Sequence, residues 1–136
     1  MKILITIISL SLVFPFIADS SDPIRTAGDI GQIATPLYGL YLTYENSDKV
    51  GRIQFCKSSV ATILTTHFLK QAIDKPRPDG SKNNSFPSGH TSAAFSGATF
   101  IHERYGFNTA WPAYVVASFV GYSRVNAEKH YWEDVL

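Results

Sequence analysis

Three groups of residues in the second half of the chain have types and spacings that chemistry can use. Lys70 is followed, after six residues, by Arg77-Pro78; then comes Pro87-Ser88-Gly89-His90; Ser123-Arg124, His130 and Asp134 form the third group. Lys70, ending a predicted helix, and Arg77, in the loop after it, can converge on one point. Pro76 and Pro78 fix φ on either side of Arg77 and limit the freedom it loses on holding an anion. Pro87-Ser88-Gly89-His90 leads into a predicted helix start, where free N–H groups and the helix dipole favour negative charge. Gly89 lets a ligand approach the backbone without a Cβ in the way. His130 and Asp134 are i and i+4, so on one helix they share a face, and the carboxylate can accept the Nδ1–H and leave Nε2 as nucleophile. Taken singly, each group has an ordinary reading: solvated charges, a Pro–Ser helix cap, a surface pair. Together they supply three cations, a helix N-terminus and two histidines. That inventory suits phosphoryl transfer without a metal, which needs fixed positive charge, a nucleophile and a proton donor to the leaving oxygen.

The elements that must position these residues read as helices. Ile30 to Tyr44 is apolar-rich, with Pro36 as a kink. Asn46, Ser47 and Asp48 are N-cap candidates for a helix carrying Val50, Ile53, Val60, Leu64 and Phe68 at three- and four-residue steps as far as Ile73. Asp74 to Ser85 is too rich in Pro, Gly, Asn and Ser to be regular. Helicity resumes near Ser88 and runs to Tyr105, with Gly106 as its stop. Small residues from Ser92 to Ala98 allow another helix to approach it closely. Thr109 to Arg124 follows, opened by Pro112 in its first turn, and a last helix begins near Glu128. With no alternating strand pattern, the expected class is an all-α helical bundle.

Composition narrows the possibilities. The 136 residues fit one domain, and twelve basic against eleven acidic residues give a net charge of +1 and no basic footprint for nucleic acid. Cys56 is the single cysteine, which excludes an internal disulfide and a multi-cysteine zinc site; on a helix among apolar neighbours it reads as a small core residue. Lys2, the apolar run from Ile3 to Ile17, and Ala18 and Ser20 two apart resemble a secretory signal peptide. That run of about fifteen residues is short of the roughly 20 that span a bilayer. Residues 1–20 are therefore read as a leader and 21–136 as the domain, in an exported protein. Lys57, His67, Lys70, His102, Glu103 and Arg104 interrupt the candidate helices, which favours a soluble or membrane-peripheral domain over a membrane-spanning one.

The three groups resemble the signature of the type 2 phosphatidic acid phosphatase (PAP2) superfamily, which includes bacterial non-specific acid phosphatases and vanadium haloperoxidases. The resemblance runs from Lys70 to Asp134, about half the chain. It implies a helical bundle of the acid phosphatase type and an enzyme without cofactor or metal. His130 is then the nucleophile that carries a phosphohistidine, Asp134 orients it, and His90 is the acid and later the base. Lys70, Arg77, Ser88, Gly89 and Arg124 hold the phosphate, while Pro78, Pro87 and Ser123 shape the loops. The implied substrate is a phosphomonoester, a membrane-lipid phosphate first and a small periplasmic phosphoester second. A haloperoxidase and an inactive phosphate- or lipid-binding fragment are the rivals. Vanadate is the expected inhibitor, and the site is expected on the non-cytoplasmic side, periplasmic or membrane-associated. Family members continue the His130 helix for several turns, so a last helix cut short is expected here. His67 and His102 match nothing in the signature and read as structural or surface residues.

Overall fold

Asp22 opens the first helix: its carboxylate accepts from the N–H of Ile24 at 2.9 Å and of Arg25 at 3.3 Å, and Pro23 follows as the first helical residue. The computed structural model describes residues 22–136, in which four α-helices are followed by a single 3-10 turn. They are α1 (Pro23–Glu45), α2 (Lys49–Ala72), α3 (Gly89–Tyr105), α4 (Phe107–Asn126) and the turn Trp132–Asp134. The all-α class stands. The leader read at 1–20 lies outside the described residues.

The first helix begins well before Ile30. The face it buries carries Gly28, Asp29, Gly31, Thr35 and Gly39, which leaves no apolar period to read. Small residues serve close approach instead. A Cβ on Gly97 of α3 would lie 2.6 Å from the backbone nitrogen of Pro36, so α3 crosses α1 backbone against backbone at the proline. The core beneath this crossing is made largely of alanine: Ala94 and Ala98 of α3 meet Ala110, Ala113, Ala117 and Val120 of α4, with Leu42, Phe100 and Ile101 around them.

The caps read from sequence hold. Asp48 accepts from the N–H of Gly51 at 2.8 Å and starts α2, and Gly106, at φ +86°, ends α3. Asp48 also receives Arg104 Nε at 2.6 Å, Arg104 Nη2 at 2.7 Å and the Tyr105 hydroxyl at 3.0 Å. The Arg104 guanidinium, aided by the Gly51 N–H, holds the Asp48 carboxyl well below its usual range. This clamp ties the α1–α2 corner to the end of α3.

Three expectations are corrected. Cys56 is exposed rather than in the core. The periodicity located α2, but Gly51 is the one buried residue along that helix. Its apolar stripe faces outward, with Phe68 68% exposed, and Cys56 is exposed with it. Pro112 is not in the first turn of its helix, because α4 starts at Phe107. No helix begins at Glu128: that residue takes φ +52°, α4 ends at Asn126, and a short segment leads to the 3-10 turn. No helix among the described residues is long and apolar enough to cross a membrane.

Candidate active site

The irregular loop between α2 and α3 is folded onto the last segment of the chain. Ser85 N–H donates to Lys75 O at 2.9 Å and Arg77 N–H to Lys82 O at 2.9 Å. Ser88 N–H reaches Asp134 O at 2.8 Å and Asp79 N–H reaches Glu128 O at 3.1 Å. These bonds bring the three sequence groups around a cavity of about 700 Å³. Lys70, Arg77, Gly89, His90, Arg124 and His130 all line it.

Lys70 and Arg77 converge as expected, through a residue the sequence did not single out. Asn84 accepts Lys70 Nζ on its backbone carbonyl at 2.9 Å and Arg77 Nε on its side-chain oxygen at 3.1 Å. Burial and the nearby Arg77 charge, partly offset by Asp134, bring the Lys70 ammonium down to about 8. Gly89 sits at the start of α3, with Lys70 Cε only 3.8 Å from where a Cβ would stand. Ser88 lies one residue deeper. It is fully buried as the α3 cap, its hydroxyl receiving the Thr91 hydroxyl at 3.0 Å and its N–H engaged by Asp134 O.

His130 is 3% exposed, and its Nδ1–H donates to the Ser85 carbonyl at 2.6 Å. A carbonyl can only accept, so the lone pair is on Nε2. Burial, the Lys70 charge and that of Arg77 bring this imidazole down to about 4, against the pull of the Ser85 carbonyl and Asp134. The i, i+4 pairing expected on a helix is corrected here. Asp134 Oδ2 is 3.9 Å from His130 Nδ1, too far for a hydrogen bond. Asp134 is 4% exposed and accepts Lys75 Nζ at 2.5 Å, Ser85 Oγ at 2.5 Å and the Tyr131 N–H at 2.9 Å. Burial opposes its ionisation, but those three donors outweigh it and hold the carboxyl below its usual range. Asp134 therefore fixes Ser85, and Ser85 fixes the histidine.

The largest omission of the sequence reading is Asp29, on α1. It is 8% exposed, and its Oδ1 lies 2.8 Å from Arg124 Nη1 and 3.1 Å from His90 Nε2. Asp29 and the Arg124 guanidinium thus form an ion pair, with the His90 ring against the same carboxylate oxygen. Arg124 is itself 3% exposed, with Nη2 on the Arg25 carbonyl at 2.8 Å and Nε on Ser123 Oγ at 3.2 Å. A Cβ on Gly28 would overlap Ser123 Oγ, so α1 is pressed directly against this guanidinium's support. Burial, followed by the charges of Arg124, His130, Arg77 and Lys70, brings His90 down to about 3. A signal for Asp29 did exist: a lone carboxylate set between Gly28 and Gly31 on a helix.

The remaining histidines take different places. His102 Nδ1 meets the Tyr114 hydroxyl at 3.1 Å and packs edge-on to Phe107. His67 is exposed, pairs with Gln71 at 2.9 Å and borders the cavity.

With this arrangement in view, the family follows. The model of the PAP2 superfamily matches residues 53–136, more than half of the chain, and the chain belongs to that superfamily. It is 46% identical over 70 residues to a lipid A 1-phosphatase of Porphyromonas gingivalis, a match covering 49% of this chain and 16% of that protein. It is 41% identical over 86 residues to a lipid A 4'-phosphatase of Helicobacter pylori, covering 53% of this chain and 43% of that protein. The chain thus spans less than half the length of either relative. No solved structure matches it. Asp29 and Arg25 lie upstream of the family-matched segment.

Proposed function

We propose that the protein is an exported, metal-independent phosphatase that cleaves phosphomonoesters of membrane lipids through a phosphohistidine. One observation carries the reading: a buried imidazole, His130, and a half-buried one, His90, both held neutral at pH 7, face one cavity with Lys70, Arg77 and Arg124. A neutral His130 with its lone pair on Nε2 is a competent nucleophile. It attacks phosphorus, the P–N bond forms as the P–O bond to the leaving group breaks, and the equatorial oxygens stay against the three cations and the first turn of α3. His90 gives its proton to the departing alkoxide. It then takes one from the water that releases phosphate and returns His130.

The low proton affinity of His90 follows from burial and from the cations around it. A phosphate dianion offsets the charges of Arg124, Arg77 and Lys70 that depress it, so substrate binding itself loads the acid. Asp29, beside Nε2, adds to that loading and holds Arg124 in place. A lipid ester is favoured by the names of both relatives, by Pro36, Ile63 and Ala93 along the cavity wall, and by the outward apolar stripe of α2, which suits a bilayer surface. Residues 1–20 are the export leader in this reading, and the rest is the phosphatase domain.

The test is phosphate release in EDTA from a lipid phosphate in mixed micelles and from an aryl phosphate, with and without vanadate. We expect vanadate-sensitive release from both, faster from the lipid, and an acid-labile phosphoryl label on His130. Release that persists unchanged in His130→Ala would overturn the mechanism. Release abolished by EDTA and restored by metal would overturn the metal-free chemistry.

A further inference from the structure

The hold on His130 starts further back than Asp134. Ser85 is fully buried, and each of its polar groups is taken: its carbonyl by the His130 Nδ1–H, its hydroxyl by Asp134 Oδ2, and its N–H by the backbone carbonyl of Lys75 at 2.9 Å. The Lys75 side chain reaches the same place by another route. Its Nζ lies 2.5 Å from Asp134 Oδ1, 3.1 Å from Glu133 Oε1 and 4.8 Å from the centre of the Tyr131 ring. One lysine therefore meets Ser85 twice, directly through its carbonyl and through its ammonium by way of Asp134. Lys75 falls on none of the motif positions.

The ammonium has a specific task here. The Asp134 side chain is wholly out of solvent, and a buried carboxylate is costly unless a cation and hydrogen bonds compensate it. Its neutral donors are the Ser85 hydroxyl and the Tyr131 N–H. Lys75 is the cation in hydrogen-bond contact with it, whereas Lys70 acts on it through charge alone. Burial works against its ionisation, and Lys75 is the strongest of the groups that restore it. Deprived of that cation, the carboxyl takes up a proton more readily, and an oxygen that carries a proton no longer accepts as before. The Ser85 hydroxyl then loses its anchor, and its carbonyl is no longer pinned against the imidazole.

We infer that Lys75 is a positioning residue for His130: by balancing the buried Asp134 charge it keeps the Ser85 carbonyl on Nδ1 and the lone pair on Nε2. The inference rests on the phosphatase reading for the use made of that lone pair, but the state of the ring can be read without turnover.

The experiment follows the His130 ring nitrogens by NMR at pH 7 in the parent, Lys75→Gln, Lys75→Arg and Glu133→Gln. Phosphate release from an aryl phosphate in EDTA is measured on the same samples. Lys75→Gln keeps the backbone bond to Ser85 and removes the charge. We expect the single Nδ1–H tautomer of the parent to give way to a mixture of tautomers, with kcat lower by roughly 10- to 100-fold and KM within about twofold. Lys75→Arg keeps a cation on Asp134 and should restore the tautomer and bring kcat to within about threefold of the parent. Glu133→Gln removes the other carboxylate on Lys75, whose side chain is 67% exposed, and should match the parent in both readouts. A parent-like tautomer in Lys75→Gln overturns the inference whatever kcat does. So does an equal change in Glu133→Gln, which marks a general loosening of the segment. If Lys75→Gln does not fold, Ser85→Ala tests the next link: it deletes the hydroxyl on Asp134 and leaves the carbonyl, and an unchanged His130 ring there overturns the inference. A shifted tautomer with no release from any sample, the parent included, keeps the positioning role and removes the phosphatase reading; release from every sample with an unchanged ring does the reverse.

Discussion

The two histidines of the cavity are held by different parts of the molecule and by different means. His130 is fixed through the backbone: the Ser85 carbonyl takes its Nδ1–H, and Asp134 anchors Ser85 through a bond at 2.5 Å. His90 is met by a side chain, Asp29, from a helix that lies before the family-matched segment. A carbonyl settles tautomer and ring orientation but adds little charge, which suits the nucleophilic role proposed for His130. A carboxylate raises affinity for a proton, which suits the acid–base role proposed for His90.

This contrast can be broken at several points. His130→Ala removes the proposed attacking atom, and turnover should fall by about 10³-fold or more, with the fold intact by circular dichroism. Asp134→Ala leaves both histidines present but releases Ser85; kcat should drop by roughly 10²-fold with KM little changed, as for a nucleophile misplaced by a fraction of its reach. Asp29→Asn should lower kcat/KM by about tenfold and raise KM, because Arg124 loses a charged partner and His90 the carboxylate that favours its protonation when substrate binds. If Asp29→Asn costs more than Asp134→Ala, the α1 side governs chemistry and the comparison inverts.

A titration sharpens the same contrast. With protein imidazoles followed by NMR, His130 should titrate near 4 and His90 near 3, and saturating phosphate should move both upward. Both lie below the unfolded value of about 6.5, so the unfolded chain binds more protons in this range. Stability is therefore full above about 6.5 and declines as pH falls toward the folded values. Midpoints near 6.5 in the folded protein would remove the basis for a neutral nucleophile. The smallest effect belongs to Cys56→Ser, which should change stability by no more than about 0.5 kcal/mol, while Cys56 in the folded parent reacts at once with a thiol reagent.

How much of this was legible depended on which physical signal each segment carries. The bounds of α2 and α3 were readable because Asp48, Ser88 and Gly106 are caps with a mechanism. The start of α1 was not, since a face of Gly28, Asp29, Gly31 and Thr35 packs by closeness and charge rather than by apolar period. The outward turn of α2 was hidden for the converse reason: Val60, Leu64 and Phe68 keep a helical period without facing the protein. His130 and Asp134 misled because i, i+4 spacing fits a helix, while Glu128 at φ +52° breaks it. Lys70, Arg77, Gly89, His90, Arg124 and His130 are brought to one cavity as the spacing required. Asn84 and Asp29, which hold those groups in place, belong to no spacing.

The crowding of Arg25, Lys70, Arg77 and Arg124 has a consequence for the protein as a material. Ligands that bind the folded chain alone stabilise it by mass action, by about 2.7 kcal/mol at a hundred times the dissociation constant. With four cations from α1, α2, the α2–α3 loop and α4 lining one cavity, an anion there ties together helices that otherwise repel at that point. The melting temperature should therefore track the phosphate content of the buffer, so that a preparation moved from phosphate into an amine buffer loses rigidity along with its ligand.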